Sequence, residues 1–378
     1  MIFMDSEPAD DVSVFPDARI KPRPVKGRGT TLRPDPRYDA LARETVSDGW
    51  DAAHEAAEEE ATSPRTILIR DASKSIINRN DSPDIQFTQS INAYRGCEHG
   101  CIYCFARPTH AYLGFSPGVD FETHIVYKED AAQLLRKELA RPGYVCEPIA
   151  LGSNTDCYQP VERKLRITRG IIEVLAACRH PVAFVTKSAL IERDIDLLAE
   201  MARDHLVQVM ISVTTLNPEL ARKMEPRAAH PLRRIETIRR LAQAGIPVGV
   251  LIAPVIPALN EHEIEAILEA TKDAGASSAG CIPIRLPHEL GTLFEDWLRQ
   301  HEPGKADHVL SLIRQMRGGR LNDPRFGARM RGSGPYADMI RQRFRIASQR
   351  LGLNQKEMPL DCSRFTPPTV APAQLALF

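Results

Sequence analysis

The chain has 378 residues, which is enough to bury a sizeable hydrophobic core in one or two domains. Lysine plus arginine equals aspartate plus glutamate, at 49 each, so the net charge identifies no class of partner. Residues 1–11 lack the apolar core of a signal peptide, and no apolar run reaches the roughly 18 residues of a membrane span, so the sequence predicts a cytoplasmic protein without membrane contact.

The two ends of the chain differ in composition from its centre. Residues 1–64 are rich in proline and charge, which predicts a mostly disordered segment with one short helix at Trp50–Ala61. Residues 353–378 are rich in proline and predict a tail. Between these ends we expect a core at residues 65–285 and a helical extension at residues 286–352.

Apolar runs typical of strands alternate with helical patterns through the centre of the chain. The predicted strands are Gln89–Tyr94, Pro148–Gly152, Val182–Thr186, Val207–Thr214, Pro247–Ala253 and Ala279–Ile284. The helices predicted between them are Glu129–Ala140, Glu162–Cys178, Ile191–Asp204, Pro231–Ala244 and Glu261–Ala274. Three more helices are predicted at Leu286–Gln300, Ala306–Arg317 and Tyr336–Leu351.

Strands that are separated by helices favour an α/β fold with a parallel sheet. About six βα units fall short of a complete barrel, so we expect an incomplete TIM-type parallel barrel with added C-terminal helices and disordered termini. In such folds the functional site lies where the carboxyl ends of the strands meet.

Three cysteines lie close together directly after the first predicted strand, at Cys97, Cys101 and Cys104. Iron–sulfur clusters are held by cysteine thiolates, usually four, so three thiolates leave one iron of a cubane open to a small ligand. The alternative is a structural zinc site, which needs four ligands. His99 could be the fourth, but no second pair of cysteines follows.

The spacing Cys-x3-Cys-x-aromatic-Cys resembles the signature of the radical S-adenosylmethionine (SAM) superfamily. The resemblance covers Arg65 to Leu351 and is nearest to the spore-photolyase-like branch. It implies a [4Fe–4S] cluster on the three cysteines and SAM as the second cofactor. It also implies an enzyme that cleaves SAM to a 5′-deoxyadenosyl radical, which abstracts hydrogen from a substrate.

The resemblance also implies a set of SAM contacts. Tyr103 is expected beside the adenine, and Ser153, Asn154, Thr155 and Asp156, after the second strand, are expected beside the methionine amino group. Carboxylate and hydroxyl oxygens at this turn are acceptors for an ammonium.

Further SAM contacts are implied at the ends of later strands. Lys187 is expected near the carboxylate or ribose, Ser212 near the ribose and Ala253 near the adenine. Cys157 follows Asp156 and is a candidate catalytic hydrogen donor, whereas the other scattered cysteines are expected to be small buried residues.

Two positions depart from spore photolyase. Ser153 stands where that enzyme has a hydrogen-donating cysteine, and Phe105 stands where it has a relaying tyrosine. Neither side chain is a good hydrogen-atom donor, which puts thymine-dimer repair in doubt and leaves the substrate open.

The partners implied are an electron donor such as flavodoxin or ferredoxin, and nucleic acid as a candidate substrate. The branch and the arginine-rich segment Arg314–Arg350, whose charges have few acidic neighbours in sequence, favour nucleic acid. The other function classes that stay open are a zinc-stabilised nucleic-acid-binding module without catalysis and an iron–sulfur electron carrier.

Overall fold

The computed structural model describes residues 27–39, 65–355 and 359–369, so the helix predicted at Trp50–Ala61 lies outside the described residues. The described residues form an α/β fold with two sheets. The strands, in chain order, are β1 Ile67–Arg70, β2 Ile77–Arg79, β3 Gln89–Ile91, β4 Tyr94–Arg95, β5 His124–Tyr127, β6 Ile149–Leu151, β7 Val182–Thr186, β8 Val207–Ser212, β9 Val248–Val255 and β10 Ser278–Pro283.

Most of the helices connect or cover the strands. The α-helices are α1 Asp120–Thr123, α2 Ala131–Leu139, α3 Glu162–Leu165, α4 Ile167–Ala177, α5 Ile195–Arg203, α6 Pro218–Met224, α7 Pro231–Gln243, α8 Ile264–Asp273, α9 Leu290–His301, α10 Ala306–Met316, α11 Ala328–Arg331 and α12 Pro335–Arg350. Short 3₁₀ helices lie at Arg107–Leu113, Ala189–Asp194 and Glu261–Glu263. No helix of the described residues is both long and apolar enough to cross a membrane.

The larger sheet has the strand order β10-β9-β8-β7-β6-β3-β2. Its six strands from β3 to β10 are parallel, and β2 is antiparallel at the β3 edge. Each predicted strand contributes one of these six strands, in chain order. Because they run in the same direction, their carboxyl ends lie along one edge of the sheet, which we call the carboxyl edge.

One face of the central strands β7 and β8 is fully buried and most of the other face is half-buried, which explains why these strands are mostly apolar. Val182 and Phe184 of β7 are fully buried, as are Val209 and Ile211 of β8. Helix α4 buries a single apolar face that includes Ile171. Burying such side chains stabilises the fold by about 1.5–3 kcal/mol each.

Two predicted elements are split in the structure. The predicted strand Gln89–Tyr94 ends at Ile91, because Tyr94 pairs with Tyr127 in the small sheet β1-β5-β4 instead. The predicted helix Glu162–Cys178 is interrupted by Arg166, whose φ of 53° is left-handed and incompatible with a continuous α-helix.

The fifth strand is predicted to stop at Ala253, before Pro254, but β9 continues to Val255. Val255 pairs with Pro283 of β10 after a register shift, and its carbonyl oxygen accepts a hydrogen bond of 2.9 Å from Ile284 N. The missing N–H of Pro254 therefore does not end the pairing, since neighbouring residues continue it.

Parts of both predicted disordered ends are folded against the core. Residues 27–39, the N-terminal strap, lie on the loop that carries the three cysteines: Gly29 N donates to Glu122 Oε2 over 2.9 Å, and Val119 N donates to Leu32 O over 3.1 Å. Residues 359–369, the C-terminal tail, lie at the opposite edge of the sheet, where Thr366 N donates to Cys178 O before β7.

The strap approaches the cysteine loop closely at one glycine. A Cβ atom added to Gly29 would lie 1.8 Å from Gly100 O. We therefore expect Gly29→Ala to displace the strap and to lower the melting temperature, because backbone must move on one side of the contact. Gly304→Ala is the matched control, since no atom lies within 4 Å of its added Cβ. Equal melting temperatures for the two variants would contradict this prediction.

Candidate functional site at the carboxyl edge

The cysteine loop, residues 96–104, follows β4 and turns tightly at two glycines. Gly96 and Gly100 have φ values of 83° and 68°, a region that glycine adopts without strain. Cys97 N donates to Phe121 O over 2.9 Å, and Ile102 N donates to Met224 O over 3.0 Å. The loop is thus fixed to α1 and α6 rather than free in solvent.

A buried ion pair fixes the carbonyl groups of the same loop. Arg107 pairs with Glu122, and both side chains are fully buried. Arg107 Nε donates to Cys101 O over 2.8 Å, and its Nη2 donates to Gly100 O over 3.1 Å. A guanidinium can hold several carbonyl oxygens at once because it has five donors in one plane.

The three thiols of the loop are free and lie close enough to influence one another. Burial, followed by the charges of Asp156, Cys101 and Cys104, raises the pKa of the Cys97 thiol well above its ordinary value. Burial raises the pKa of the Cys101 thiol to about 12, although the charge of Lys187 opposes this shift. Binding of metal by these thiols must therefore release protons.

Asp156 joins the ends of β6 and β7 to the cysteine loop. Its carboxylate accepts hydrogen bonds from Thr186 Oγ1 over 2.7 Å and from Lys187 N over 2.9 Å. His99 Nδ1 lies 3.3 Å from Asp156 Oδ2. Burial alone raises the pKa of Asp156, but His99, Thr186 and the Lys187 N–H outweigh it and hold that pKa well below its ordinary value.

The other residues of the predicted turn after β6 also contact protein groups. Thr155 Oγ1 donates to Gly96 O over 2.7 Å and is buried. Asn154 N donates to Asn92 Oδ1 over 3.0 Å, and Ser153 Oγ donates to the same atom over 3.4 Å. Thr155 and Asp156 therefore shape the site, while the half-buried Ser153 and Asn154 side chains have more access to a ligand.

Tyr103 and Lys187 meet beside the cysteine loop. Lys187 Nζ lies 5.8 Å from the centre of the Tyr103 ring. The Tyr103 hydroxyl donates to Glu225, which also accepts a hydrogen bond of 2.7 Å from Thr214 Oγ1. Burial lowers the pKa of Lys187, but the charges of Cys101 and Glu225 outweigh it, so the net shift is upward and Lys187 stays protonated.

Glu225 forms a buried ion pair with Arg234, and both residues are almost inaccessible to solvent. Burial raises the pKa of Glu225, but Arg234, Lys187 and a hydrogen bond from Tyr103 outweigh it and lower the pKa to about 2. Glu225 is therefore ionised at neutral pH and fixes the position of the Tyr103 hydroxyl.

The two remaining predicted contacts, Ser212 and Ala253, lie at the end of β8 and in β9. Ser212 O accepts a hydrogen bond of 3.1 Å from Arg234 Nη1, and Ala253 O lies 3.5 Å from Thr214 Oγ1. Through Arg234 and Thr214 both strand ends connect to Tyr103. The structure therefore brings the predicted residues of β6 to β9 to the same edge as the three cysteines.

The structure does not bring Cys157 to this site. Its side chain lies in the main hydrophobic core, which also contains Tyr94 and Phe184, and it is 2% exposed. Burial and the negative charges of Asp156 and Glu162 raise the pKa of its thiol well above the ordinary value. This position favours a structural role for Cys157 rather than the predicted role of hydrogen donor.

Several residues of the site were missed in the sequence, among them His99 as a partner of Asp156, and the buried pairs Arg107–Glu122 and Arg234–Glu225. In the sequence, these residues are marked only by a charged residue at a position where an apolar one is expected. Glu225 is separated from Tyr103 by 122 residues, so no short motif connects them.

Within residues 27–39, 65–355 and 359–369, no three His, Cys, Asp or Glu side chains converge as they would on a single metal ion. A cubane distributes its thiolates over different iron atoms, so its ligands lie further apart than those of one zinc ion. Three neighbouring free thiols on a loop that turns at two glycines therefore fit a [4Fe–4S] cluster better than a single zinc ion.

The basic segment Arg314–Arg350, predicted to have few acidic partners, is paired in part in the structure. Five of its arginines form ion pairs, with Asp84, Glu265 and Glu269 from distant parts of the chain and with Asp323 and Asp338 inside the segment. Arg317 is buried and donates to backbone carbonyls, including Pro283 O and Ile284 O. For three of these five arginines, folding supplies an acidic partner that is not a neighbour in sequence.

Comparison with known families identifies the central part of the chain. The sequence profile described as the Radical SAM superfamily matches residues 91–271. An uncharacterised protein of Mycobacterium tuberculosis is 35% identical over 310 residues, which cover 81% of this chain and 86% of that protein. An uncharacterised protein of Methanocaldococcus jannaschii is 27% identical over 205 residues, covering 54% of this chain and 73% of its own length.

Solved structures with a similar fold include spore photoproduct lyase in complex with a dinucleoside spore photoproduct. That structure has a TM-score of 0.55 and 16% identity, and the match covers 83% of this chain and 86% of the lyase. A mutant of spore photoproduct lyase in which a cysteine is replaced by serine gives a TM-score of 0.53 at 17% identity with the same coverage. At this identity the similarity establishes the shared fold.

Proposed function

We propose that Cys97, Cys101 and Cys104 hold a [4Fe–4S] cluster and that the protein cleaves SAM, because this chain belongs to the radical SAM superfamily. The observation that carries this proposal is the position of three free, neighbouring thiols at the carboxyl edge beside Lys187. When bound, the reduced cluster supplies the electron that splits the sulfonium of SAM, and the resulting 5′-deoxyadenosyl radical takes hydrogen from a substrate. The six parallel strands support an incomplete TIM-type barrel of about six βα units around this site.

The residues of the chain would bind and orient SAM. The protonated Lys187 would pair with its carboxylate, and the half-buried Ser153 and Asn154 would accept from its amino group. Tyr103, held by Glu225, and Ala253 would pack near the adenine. Ser212 is 1% exposed and its carbonyl oxygen accepts from Arg234, so it would support the ribose side of the pocket from behind.

The test is anaerobic reconstitution with iron and sulfide, followed by SAM and dithionite, with 5′-deoxyadenosine as the measured product. In the cell, an electron donor such as flavodoxin or ferredoxin would replace dithionite. We propose that the protein acts in the cytoplasm. Metal analysis separates the alternatives, since a zinc-stabilised binding module would contain zinc and no sulfide. An electron carrier would hold the cluster without forming 5′-deoxyadenosine, and either result would contradict the proposal.

Lys187 provides a quantitative prediction for SAM binding. We expect Lys187→Ala to weaken SAM binding about ten- to a hundredfold, because a charge-assisted hydrogen bond contributes about 1.5–3 kcal/mol. Equilibrium dialysis of the reconstituted protein against SAM would measure this change. Lys305→Ala, at an exposed position between α9 and α10, is the control. If both variants bound SAM like the wild type, Lys187 would have no role in the pocket.

A further inference from the structure

Exposed aromatic rings carry arginine side chains in this protein. Among the described residues four aromatic side chains are exposed, namely Tyr38, Phe105, Tyr112 and Phe326, with exposed fractions of 43–68%. Each of the four has a guanidinium over its ring, at ring-centre distances of 4.3 Å for Arg285 over Phe105 and 4.6 Å for Arg329 over Phe326. Arg37 lies 5.2 Å from the Tyr38 ring and 5.6 Å from the Tyr112 ring.

These pairs are connected to one another. Arg37 donates to Pro108 O over 2.7 Å, three residues after Phe105, and lies 3.4 Å from Glu289, four residues after Arg285. The charge of Arg329 acts on Arg285. We call these four rings and their three arginines the aromatic–arginine strip.

One part of the strip lies next to the cysteine loop. Phe105 directly follows Cys104, and Arg285 is two residues beyond the end of β10. The Cys104 thiol is one of the groups that act electrostatically on Arg285. A ligand on the strip would therefore lie within reach of chemistry at the three cysteines.

The charge of the strip is not fully balanced. Arg329 pairs with Asp84 over 2.5 Å and Arg37 approaches Glu289, whereas Arg285 has no ion pair with any residue in the part of the chain that the structure describes. Burial and the repulsion of Arg329 lower the pKa of Arg285. An anion bound next to Arg285 would relieve this repulsion.

Building on the proposed function of the site, we infer that the aromatic–arginine strip binds a single-stranded nucleic acid as the substrate of the enzyme. Phe105, Phe326 and the stacked pair Tyr38–Tyr112 offer exposed rings on which unpaired bases could stack. Arg285, which has no acidic partner among the described residues, offers donors for a phosphate oxygen. A duplex hides its base faces in its own stack, so the rings favour a single strand.

The arginines proposed to contact nucleic acid are those of the strip, rather than those of the basic segment Arg314–Arg350 as a whole. Five arginines of that segment are paired with acids, and only Arg329 of the segment contributes to the strip. The other strip arginines, Arg37 and Arg285, come from the N-terminal strap and from the end of β10. Because Arg37 and Arg329 also have acidic partners, nucleic-acid affinity would depend mainly on the exposed rings and on Arg285.

The experiment measures binding of a fluorescently labelled, mixed-sequence single-stranded DNA to the reconstituted holoprotein by anisotropy, under anaerobic conditions and over a range of salt. RNA and duplex DNA of the same sequence, and polyglutamate as a competitor, are tested in parallel. Phe105→Leu and Phe326→Leu are each expected to weaken binding about tenfold, since stacking on one ring contributes this order of affinity. Arg285→Gln is expected to reduce the salt dependence by the equivalent of about one phosphate contact.

Matched controls come from α12, on which Ile346→Ala removes an exposed apolar side chain and Arg350→Gln removes an exposed arginine outside the strip. Both controls should bind single-stranded DNA like the wild type, and iron content should be equal in all variants. Equal affinity for single-stranded DNA and RNA would indicate that the site contacts phosphates and bases. A higher affinity for RNA would indicate contacts to the 2′-hydroxyl.

Three results would overturn the inference: absence of binding to either single strand at low salt, equal affinity of the strip variants and the controls, or equal competition by polyglutamate. SAM cleavage by the wild-type protein is measured separately. An enzyme that forms 5′-deoxyadenosine but binds no single strand would refute the substrate class and leave the proposed function standing.

Discussion

Replacement of any one of Cys97, Cys101 and Cys104 by alanine is expected to abolish both the iron–sulfur absorbance and the formation of 5′-deoxyadenosine. The three thiols are the only cysteines within the loop, and the loop is fixed by Arg107 and by hydrogen bonds to α1 and α6. We expect no other side chain of the loop to replace a lost ligand, because His99 is engaged with Asp156. The loss should therefore amount to the whole reaction, measured as product per chain after anaerobic reconstitution.

Cys157→Ala is the matched control for this prediction. Cys157 is also buried and lies near Asp156, but its side chain lies in the main core. We expect this variant to keep full iron content and to form 5′-deoxyadenosine, with a small loss of stability from the shortened side chain. Full iron loading in the alanine variants of the loop would exclude the assignment of the cluster to these three residues.

Arg234→Met is expected to destabilise the fold by about 3–5 kcal/mol, because it leaves the buried charge of Glu225 without its main partner. Glu225 is 3% exposed and Arg234 is 2% exposed, so water cannot replace the lost interaction. The same change releases the hydrogen bond to Ser212 O, which loosens the end of β8. Urea denaturation at neutral pH would measure the loss of unfolding free energy.

The double variant Arg234→Met/Glu225→Gln supplies the control, since it removes both charges and should recover part of the lost stability. The pH dependence has a defined sign. Because the pKa of Glu225 falls to about 2 on folding, its stabilising contribution is present above the unfolded pKa of about 4.3 and is lost as the pH falls towards about 2. A single variant as stable as the double variant would contradict the role of the ion pair.

The parallel strands and the cysteine loop were predictable from local patterns. The six apolar runs from Gln89 to Ile284 are each followed by a helix or turn signal, and this alternation was sufficient to predict a parallel sheet. The spacing of the three cysteines predicted the site, and the alignment of strand ends placed Lys187 beside it. Periodicity and motif spacing are properties of neighbouring residues, so sequence reasoning captured them.

Contacts between distant residues were not predictable in the same way. The pairing of Tyr94 with Tyr127 removes Tyr94 from the predicted first strand, and no propensity of the residues themselves distinguishes the two sheets. The ion pairs Arg329–Asp84 and Arg343–Glu265 depend on which surfaces the fold brings together. The strap was predicted as disordered from its composition, but its backbone finds partners such as Glu122 and Val119 on the cysteine loop side.

The position of the C-terminal tail defines how the molecule can be attached to a surface. Asp361 N donates to His205 O, and Phe365 packs on Tyr144 and His180, all at the strand ends opposite to the cysteine loop. A molecule immobilised through this segment on an electrode would present its carboxyl edge to the solution. Substrates would then have free access, whereas electrons would have to cross the full height of the sheet. Attachment through the N-terminal strap would reverse this orientation and bring the cysteine loop close to the conductor, so the two modes of attachment should differ in the rate of electron transfer.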